Sequence, residues 1–229
     1  ERTQQDISLQ RVLIGIIVVA IVMWLVPVIP ISPLGAVIIV IFGFFFATVS
    51  SRMVGIVGSS NNPVSGMAIA TLIITTFVFK ASGMTGIQGM VGAITVGTVI
   101  CIIAAIAGDT SQDLKCGYIV GATPKLQQTG EILGTVVAAL AIGGVMYLLN
   151  AAWGFGSEMI PAPQASLMKM VVEGVMGGTL PWTLIFMGVF IAIAVEILGI
   201  PVLAFSIGLY LPIHLSAPIF VGGLIKWFM

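Results

Sequence analysis

RVLIGIIVVAIVMWLVPVIPISPLGAVIIVIFGFFFATVSSR, residues 11–52, decides the fold class, because no charged residue lies between Arg11 and Arg52. Pro27, Pro30 and Pro33 divide the run, and proline ends helices because it lacks an N–H and crowds the preceding turn. Two apolar helices result, over roughly 12–29 and 34–57. At ~1.5 Å per residue, each reaches across a hydrocarbon core ~30 Å thick.

Working outward, the charges continue to punctuate apolar runs. The stretch 66–79 is short for a span, follows Asn61-Asn62-Pro63 and ends at Lys80. A full-length span is expected over 86–107, and then 108–130, GDTSQDLKCGYIVGATPKLQQTG, reads as one long polar segment. Another span covers 131–149. A loop with Trp153, Glu158, Pro161 and Pro163 leads to a short helical stretch, 165–179, followed by a span over 182–198. The last stretch, 201–228, is interrupted by Pro212 and Pro218. The expected fold is an all-α polytopic membrane protein. It is a bundle of transmembrane helices in which two short or broken segments, open to a re-entrant arrangement, form internal repeats.

Composition excludes other classes. Of 229 residues, 59% are hydrophobic and 7% charged, against about 25% charged in a soluble domain. A soluble chain of this size must cover its core with polar surface; a bilayer removes that demand. The 28 glycines suit close helix approach in membranes, with helix spacing at Gly130/Gly134 and Gly174/Gly178. A formal net charge of zero offers no basic patch for nucleic acid, and Cys101 and Cys116 form neither a disulfide framework nor a metal-ligand pattern. The chain opens at Glu1 without a signal-peptide pattern.

Cations lie on the cytoplasmic side of membrane helices. Arg2 and Arg11 flank the first span, Arg52 falls two crossings later, and a helix pair over 66–107 returns Lys115 and Lys125 to the same side. That side is read as cytoplasmic, with the Glu158 loop facing out.

Two regions echo each other: NPVSGMAIATLI from Asn62 and IPVLAFSIGLYL from Ile200. Aligning Pro63 with Pro201 pairs Val64 with Val202, Gly66 with Ala204, Ile69 with Ile207 and Ala70 with Gly208. A small-residue helix follows each, GMVGAI from Gly89 and FVGGLI from Phe220. Paired broken segments mark transporter repeats, whose half-helix ends expose backbone groups that lipid cannot satisfy.

Several side chains offer chemistry, each beside a plainer role. Asn61, Asn62, Ser65 and Gly66 surround the first break, where uncharged donors and acceptors suit peptide amides or carboxylates or simply cap a helix. Asp109 and Asp113, four apart with Lys115 nearby, suit a gate or cation site or a solvated loop, and with Thr110, Gln112 and Tyr118 on the same polar segment they are candidate substrate contacts. Glu196 ends an uncharged run just before Gly199-Ile200-Pro201; an ionised, unpaired carboxyl there is costly, so it suits proton exchange, or it reaches interfacial water. Glu173 stands four residues from Lys169, a spacing that also makes an ion pair. Glu131 opens a span, where a helix N-terminus favours an anion. His214 lies between Pro212 and Pro218 and is of the residue type that changes charge near neutral pH.

The block GDTSQDLKCGYIVGATPKLQQTGEILG, 108–134, resembles the signature of the oligopeptide transporter family of bacteria and archaea. NNPVSGMAIATLI at 61–73 and LYLPIHLSAPIFVGGLIKW at 209–227 look like its other landmarks, and ERTQQDISL resembles the cytosolic linker before its second half. The resemblance spans essentially the whole chain. It implies a multi-pass protein of the inner (plasma) membrane that imports small peptides or metal–chelator complexes with protons, without a cofactor. Residues 1–11 would be linker, and 12–229 the C-terminal half of a duplicated transporter. The partner half would lie in the same polypeptide or in a second chain, with lipid around both. An enzyme lacks its parts: Ala105-Ile106-Ala107-Gly108-Asp109 has no second intramembrane Asp, and Ser206 in AFSIG has no base but His214. A passive channel or a structural membrane subunit are the alternatives.

Overall fold

The computed structural model describes residues 5–25, 31–59, 62–178, 181–210 and 213–228. Among these the chain is helical without strands: α1 (Leu9–Leu25), α2 (Pro33–Val57), α3 (Val64–Ala81), α4 (Gly86–Val120), α5 (Pro124–Ala152), α6 (Pro163–Gly177), α7 (Trp182–Ile197), α8 (Val202–Tyr210) and α9 (Ile213–Phe228). Helices α2 to α5 are long and apolar enough to cross a bilayer. The expected polytopic α-helical class is what the fold shows.

Local signals set the helix ends. Ser32 accepts from the Gly35 N–H at 3.1 Å, and Pro33 opens α2, the position where proline's missing N–H costs nothing. Gly121, at φ 74°, closes α4, its N–H reaching the Gly117 and Tyr118 carbonyls; only a residue without Cβ adopts this left-handed turn freely.

Three boundaries differ from the sequence reading. The polar segment 108–130 is not a loop. Residues 108–120 contain no proline, so α4 runs on to Val120, and Pro124 opens α5 after a short turn. At 1.5 Å per residue α4 is ~52 Å long, well beyond a ~30 Å hydrocarbon core, and its polar end projects past the apolar part. The stretch 66–79 is not short either, because α3 gains a turn's worth of residues at its ends and spans 18. Pro218 does not interrupt the last segment. It sits inside α9, where it removes a single N–H donor. Pro27, Pro30 and Pro212 lie outside the described residues.

The core sits between α2, α3, α4 and α6: Ile38, Ile39, Leu72, Phe79, Val96, Ile100, Val172 and Met176 form it. Two glycines permit the approach. A Cβ at Gly43 would lie 3.1 Å from Ile103, and one at Gly97 would lie 3.0 Å from Leu72. Register shows the topology. Gly35 faces Val96, Gly43 faces Ile103 and Ser51 faces Ala107, so α2 and α4 run parallel. Helix α3 returns antiparallel along α4, with Ala68 beside Gly97 and Phe79 beside Gly35.

Helices α1 and α5 bury no residue, and on α7 Val195 is the buried one. The expected close packing at Gly130 and Gly134 is absent among the described residues: none stands within 4 Å of a Cβ built at either. The echoed segments start alike, since Val64 and Val202 each open a helix. They pack differently: α3 is in the core, whereas α8 packs chiefly on α7.

Candidate functional site

A polar seam lies where the last turns of α2 meet the end of α4. Ser50, fully buried, donates to the Ala104 carbonyl at 2.5 Å. Ser51 donates to its own helix at Ala47 (2.7 Å) and across to Ala107 (3.3 Å). Ser111 donates back to the Ser51 carbonyl at 2.8 Å. Small hydroxyl residues serve here because they hydrogen-bond across helices without holding the backbones apart.

Asn62 closes the seam at the start of α3. Its amide donates to Ser50 Oγ at 2.8 Å and to the Ala104 carbonyl at 3.2 Å, while its Oδ1 is buried with no partner among the described residues. Gly108 makes room: a Cβ there would lie 2.5 Å from Asn62 Nδ2, 2.9 Å from Val54 and 3.0 Å from Ser50 Oγ. Gln112 accepts from the Ser59 N–H at 2.6 Å. Lys115 donates to the Gly55 carbonyl, one of the last carbonyls of α2, which have no partner inside the helix and favour a cation. Lys80 does the same at the opposite end, donating to the Val175 carbonyl of α6 at 2.6 Å.

The seam end is also the cationic end. Arg52 and Lys115 sit there, and the Lys125 N–H donates to the Gln5 carbonyl at 3.0 Å, which brings the segment before α1 alongside. Arg11, on the first turn of α1, joins them. The same-side reading of Arg11, Arg52, Lys115 and Lys125 agrees with this geometry; Arg2 lies outside the described residues.

Beside the seam is a groove of about 700 Å³ between the segment before α1, α4 and α5, lined by Asp6, Ile7, Thr110, Gln128, Glu131 and Val136 among others. Thr110 donates to Glu131 Oε2 at 2.7 Å. Gln127 donates to the Asp113 carbonyl at 3.1 Å and lies against Gly117, where a Cβ would fall 2.1 Å from its Oε1.

The structure therefore sorts the expected site residues. Asn62 and Gln112 meet in the seam and Thr110 reaches the groove. Ser65, Gly66, Asp109, Asp113 and Tyr118 are exposed, and Asn61 lies outside the described residues. Glu196 and His214 are exposed on α7 and α9. Glu173 pairs with Lys169 at 3.8 Å, both side chains more than half exposed. None of these three joins the seam through a hydrogen bond or ion pair among the described residues. Ser50, Ser51, Ser111, Gln127 and Gln128 were missed. The readable signal for the glutamines was their spacing of four and three from Glu131, which puts all three on one helix face. Glu131 itself lies two turns inside α5, so the helix-start explanation of that residue does not apply.

Parallel membrane-crossing helices that enclose an uncharged polar seam define a class, the multi-pass α-helical membrane protein. The chain belongs to the OPT oligopeptide transporter family: the model described as "OPT oligopeptide transporter protein" matches residues 1–229. It is 34% identical over 239 residues to the "Putative oligopeptide transporter" of Haemophilus influenzae, covering 87% of this chain and 38% of that protein. It is 28% identical over 155 residues to the "Putative oligopeptide transporter YGL114W" of Saccharomyces cerevisiae, covering 67% of this chain and 21% of the yeast protein. It is 31% identical over 94 residues to the "Probable metal-nicotianamine transporter YSL5" of Arabidopsis thaliana, covering 38% and 13%. The chain thus spans well under half the length of these relatives, whose names point to transport rather than catalysis. No solved structure matches it.

Proposed function

We propose that the chain is the membrane-embedded part of a secondary transporter that imports small oligopeptides or metal–chelator complexes together with protons across the inner (plasma) membrane. The observation that carries this reading is Asn62, whose buried Oδ1 has no partner among the described residues, in a seam of uncharged donors and acceptors inside an apolar bundle. A buried polar atom without a partner is costly, and a substrate N–H can supply the missing donor. Peptides and peptide-like chelators carry such groups, and the names of the H. influenzae and A. thaliana relatives give both substrate classes.

Asn62, Gln112 and Thr110 are the substrate-facing residues nearest the seam and groove. Asp109, Asp113 and Tyr118 extend the set along α4 toward the cytosol, Ser65 and Gly66 stand on the first turn of α3, and Asn61 is the remaining candidate read from the sequence. Glu196, Glu173 and His214 are the proton-coupling candidates read from the sequence. The apolar faces that α5 and α7 leave uncovered meet lipid and the other half of the transporter, in the same polypeptide or a second chain. Residues 1–11 serve as the cytosolic linker and 12–229 as the transmembrane domain.

The test is uptake into proteoliposomes of a labelled tripeptide and of a metal–nicotianamine complex, with and without a pH gradient. Accumulation above the external concentration only with the gradient is expected. Entry that stops at equal concentrations with or without the gradient identifies a passive channel. No entry of either probe overturns the reading.

A further inference from the structure

The loop between α5 and α6 displays apolar side chains that the transport reading leaves unused. Trp153 and Met159 are more than half exposed, and Phe155 is 41% exposed. The loop is nevertheless folded on itself. The N–H groups of Trp153 and Gly154 donate to the Leu149 and Asn150 carbonyls at 3.0 Å, and that of Gly156 donates to the Ile160 carbonyl at 2.9 Å. The Phe155 N–H reaches Asn150 Oδ1 at 3.3 Å, and the Ile160 N–H reaches Ser157 Oγ at 3.2 Å. Gly154 and Gly156, at φ 73° and 87°, permit these turns. Internal partners for the backbone are what a loop needs where water is scarce.

Its depth follows from α5. Thr110 pairs with Glu131 and Gln127 with the Asp113 carbonyl, so α5 runs antiparallel to α4 and finishes at the end of the bundle opposite the seam. The uncharged run from Ile132 to Ala152 is ~32 Å long at ~1.5 Å per residue, the thickness of a hydrocarbon core of ~30 Å. Trp153, the residue after α5, therefore stands one core thickness from Glu131. A second indole marks the same end. Lys80 holds the Val175 carbonyl there, and Trp182, more than half exposed, opens α7 four residues after Gly178 closes α6. Tryptophan gathers at membrane–water interfaces, where its ring meets apolar chains and its N–H meets polar groups. Glu158 is exposed on the same loop and limits the depth, because a carboxylate is costly in hydrocarbon.

We propose that residues 153–160 form an interfacial anchor, seated in the phospholipid headgroup layer at the end of the bundle opposite the seam, with Trp153, Phe155 and Met159 reaching the upper acyl chains. The occupant is lipid because the patch continues the apolar surface of α5, a helix long and apolar enough to span a bilayer that buries no residue of its own. This role is independent of what the protein carries.

The experiment measures spin-label depth on the full chain in phosphatidylcholine vesicles. The nitroxide is attached in Met159→Cys or Glu158→Cys, each in a Cys101→Ala, Cys116→Ser background. At 159, oxygen, which concentrates among acyl chains, should relax the label more than a water-soluble nickel chelate does. At 158 the order should reverse. Greater nickel access at 159 makes the loop aqueous and overturns the proposal. Access by neither reagent means that protein, such as the other half of the transporter, covers the loop, and overturns it as well. Unlabelled protein gives a second measurement, in vesicles of lipid brominated in the upper acyl chain. The tryptophan emission lost to bromine, per mole of protein, should be smaller in Trp153→Phe than in wild type; an equal loss places Trp153 away from lipid and refutes the anchor.

Discussion

Gly108→Ala should destabilise the protein, although alanine is the better helix former. The added Cβ would stand 2.5 Å from Asn62 Nδ2 and 2.9 Å from Val54 Cγ2, well inside van der Waals contact. Overpacking of this kind costs about 1–3 kcal/mol. Asn62 can yield only by leaving Ser50 Oγ and the Ala104 carbonyl, now at 2.8 and 3.2 Å, and each lost hydrogen bond costs about 0.5–1.5 kcal/mol. Against this, replacing glycine by alanine inside a helix contributes about 1 kcal/mol. At the middle of these ranges the steric and hydrogen-bond losses win by about 3 kcal/mol, which multiplies the unfolded-to-folded ratio roughly 150-fold. Gly134→Ala is the control, because nothing stands within 4 Å of its Cβ, and only the gain of up to about 1 kcal/mol in propensity applies. Unfolding of both variants in mixed micelles, followed by circular dichroism, separates them. If Gly108→Ala is as stable as Gly134→Ala, α2, α3 and α4 do not approach as closely as the seam requires.

Three further outcomes follow from the same geometry. Cys116, exposed at the cationic end of α4, should resist an impermeant thiol reagent added to intact cells and react after permeabilisation; labelling from outside would invert the orientation. Gly117→Ala should displace the Gln127 amide and break its bond to the Asp113 carbonyl, at about 1–3 kcal/mol. Adding Gln127→Ala should recover most of the steric part, and no recovery would place the strain elsewhere. Glu173→Gln should change stability by less than about 1 kcal/mol, as an exposed i,i+4 pair with Lys169 implies; a much larger loss on thermal unfolding would mean that an assembled partner buries Glu173.

Two carboxylates show how far the candidate site could be read from sequence. Glu196 stands out because it ends an uncharged run, yet in this chain it is exposed. Glu131 reads as an ordinary helix start, and only the discovery that α5 begins at Pro124 moves it two turns inward, opposite Thr110. Helix ends near polar residues are poorly marked, because Asp109, Gln112 and Asp113 suit a solvated helix as well as a loop. Asn62 was legible beside Pro63, but its partner Ser50 was not, being one serine in a long apolar helix.

What the sequence by itself determined is the class and the grouping of cations at one end of the bundle. Long uncharged runs bounded by Arg11, Arg52, Lys80 and Asp109 require apolar helices, since lipid tolerates neither charge nor unpaired backbone. Lys and Arg spacing placed one cationic end, and the helices obey it. Burial along a helix axis is a one-dimensional property, so one dimension of sequence carries it. The tertiary structure alone decided which faces meet: the parallel pairing of α2 with α4, the return of α3 along α4 and the exposure of α5. Helix α4 is apolar around its whole circumference through its first turns, so no stripe marks its contact face. Its partners are selected by glycine clearances and hydroxyl bonds, such as Gly43 against Ile103 and Ser50 to Ala104, which exist only once the helices are side by side.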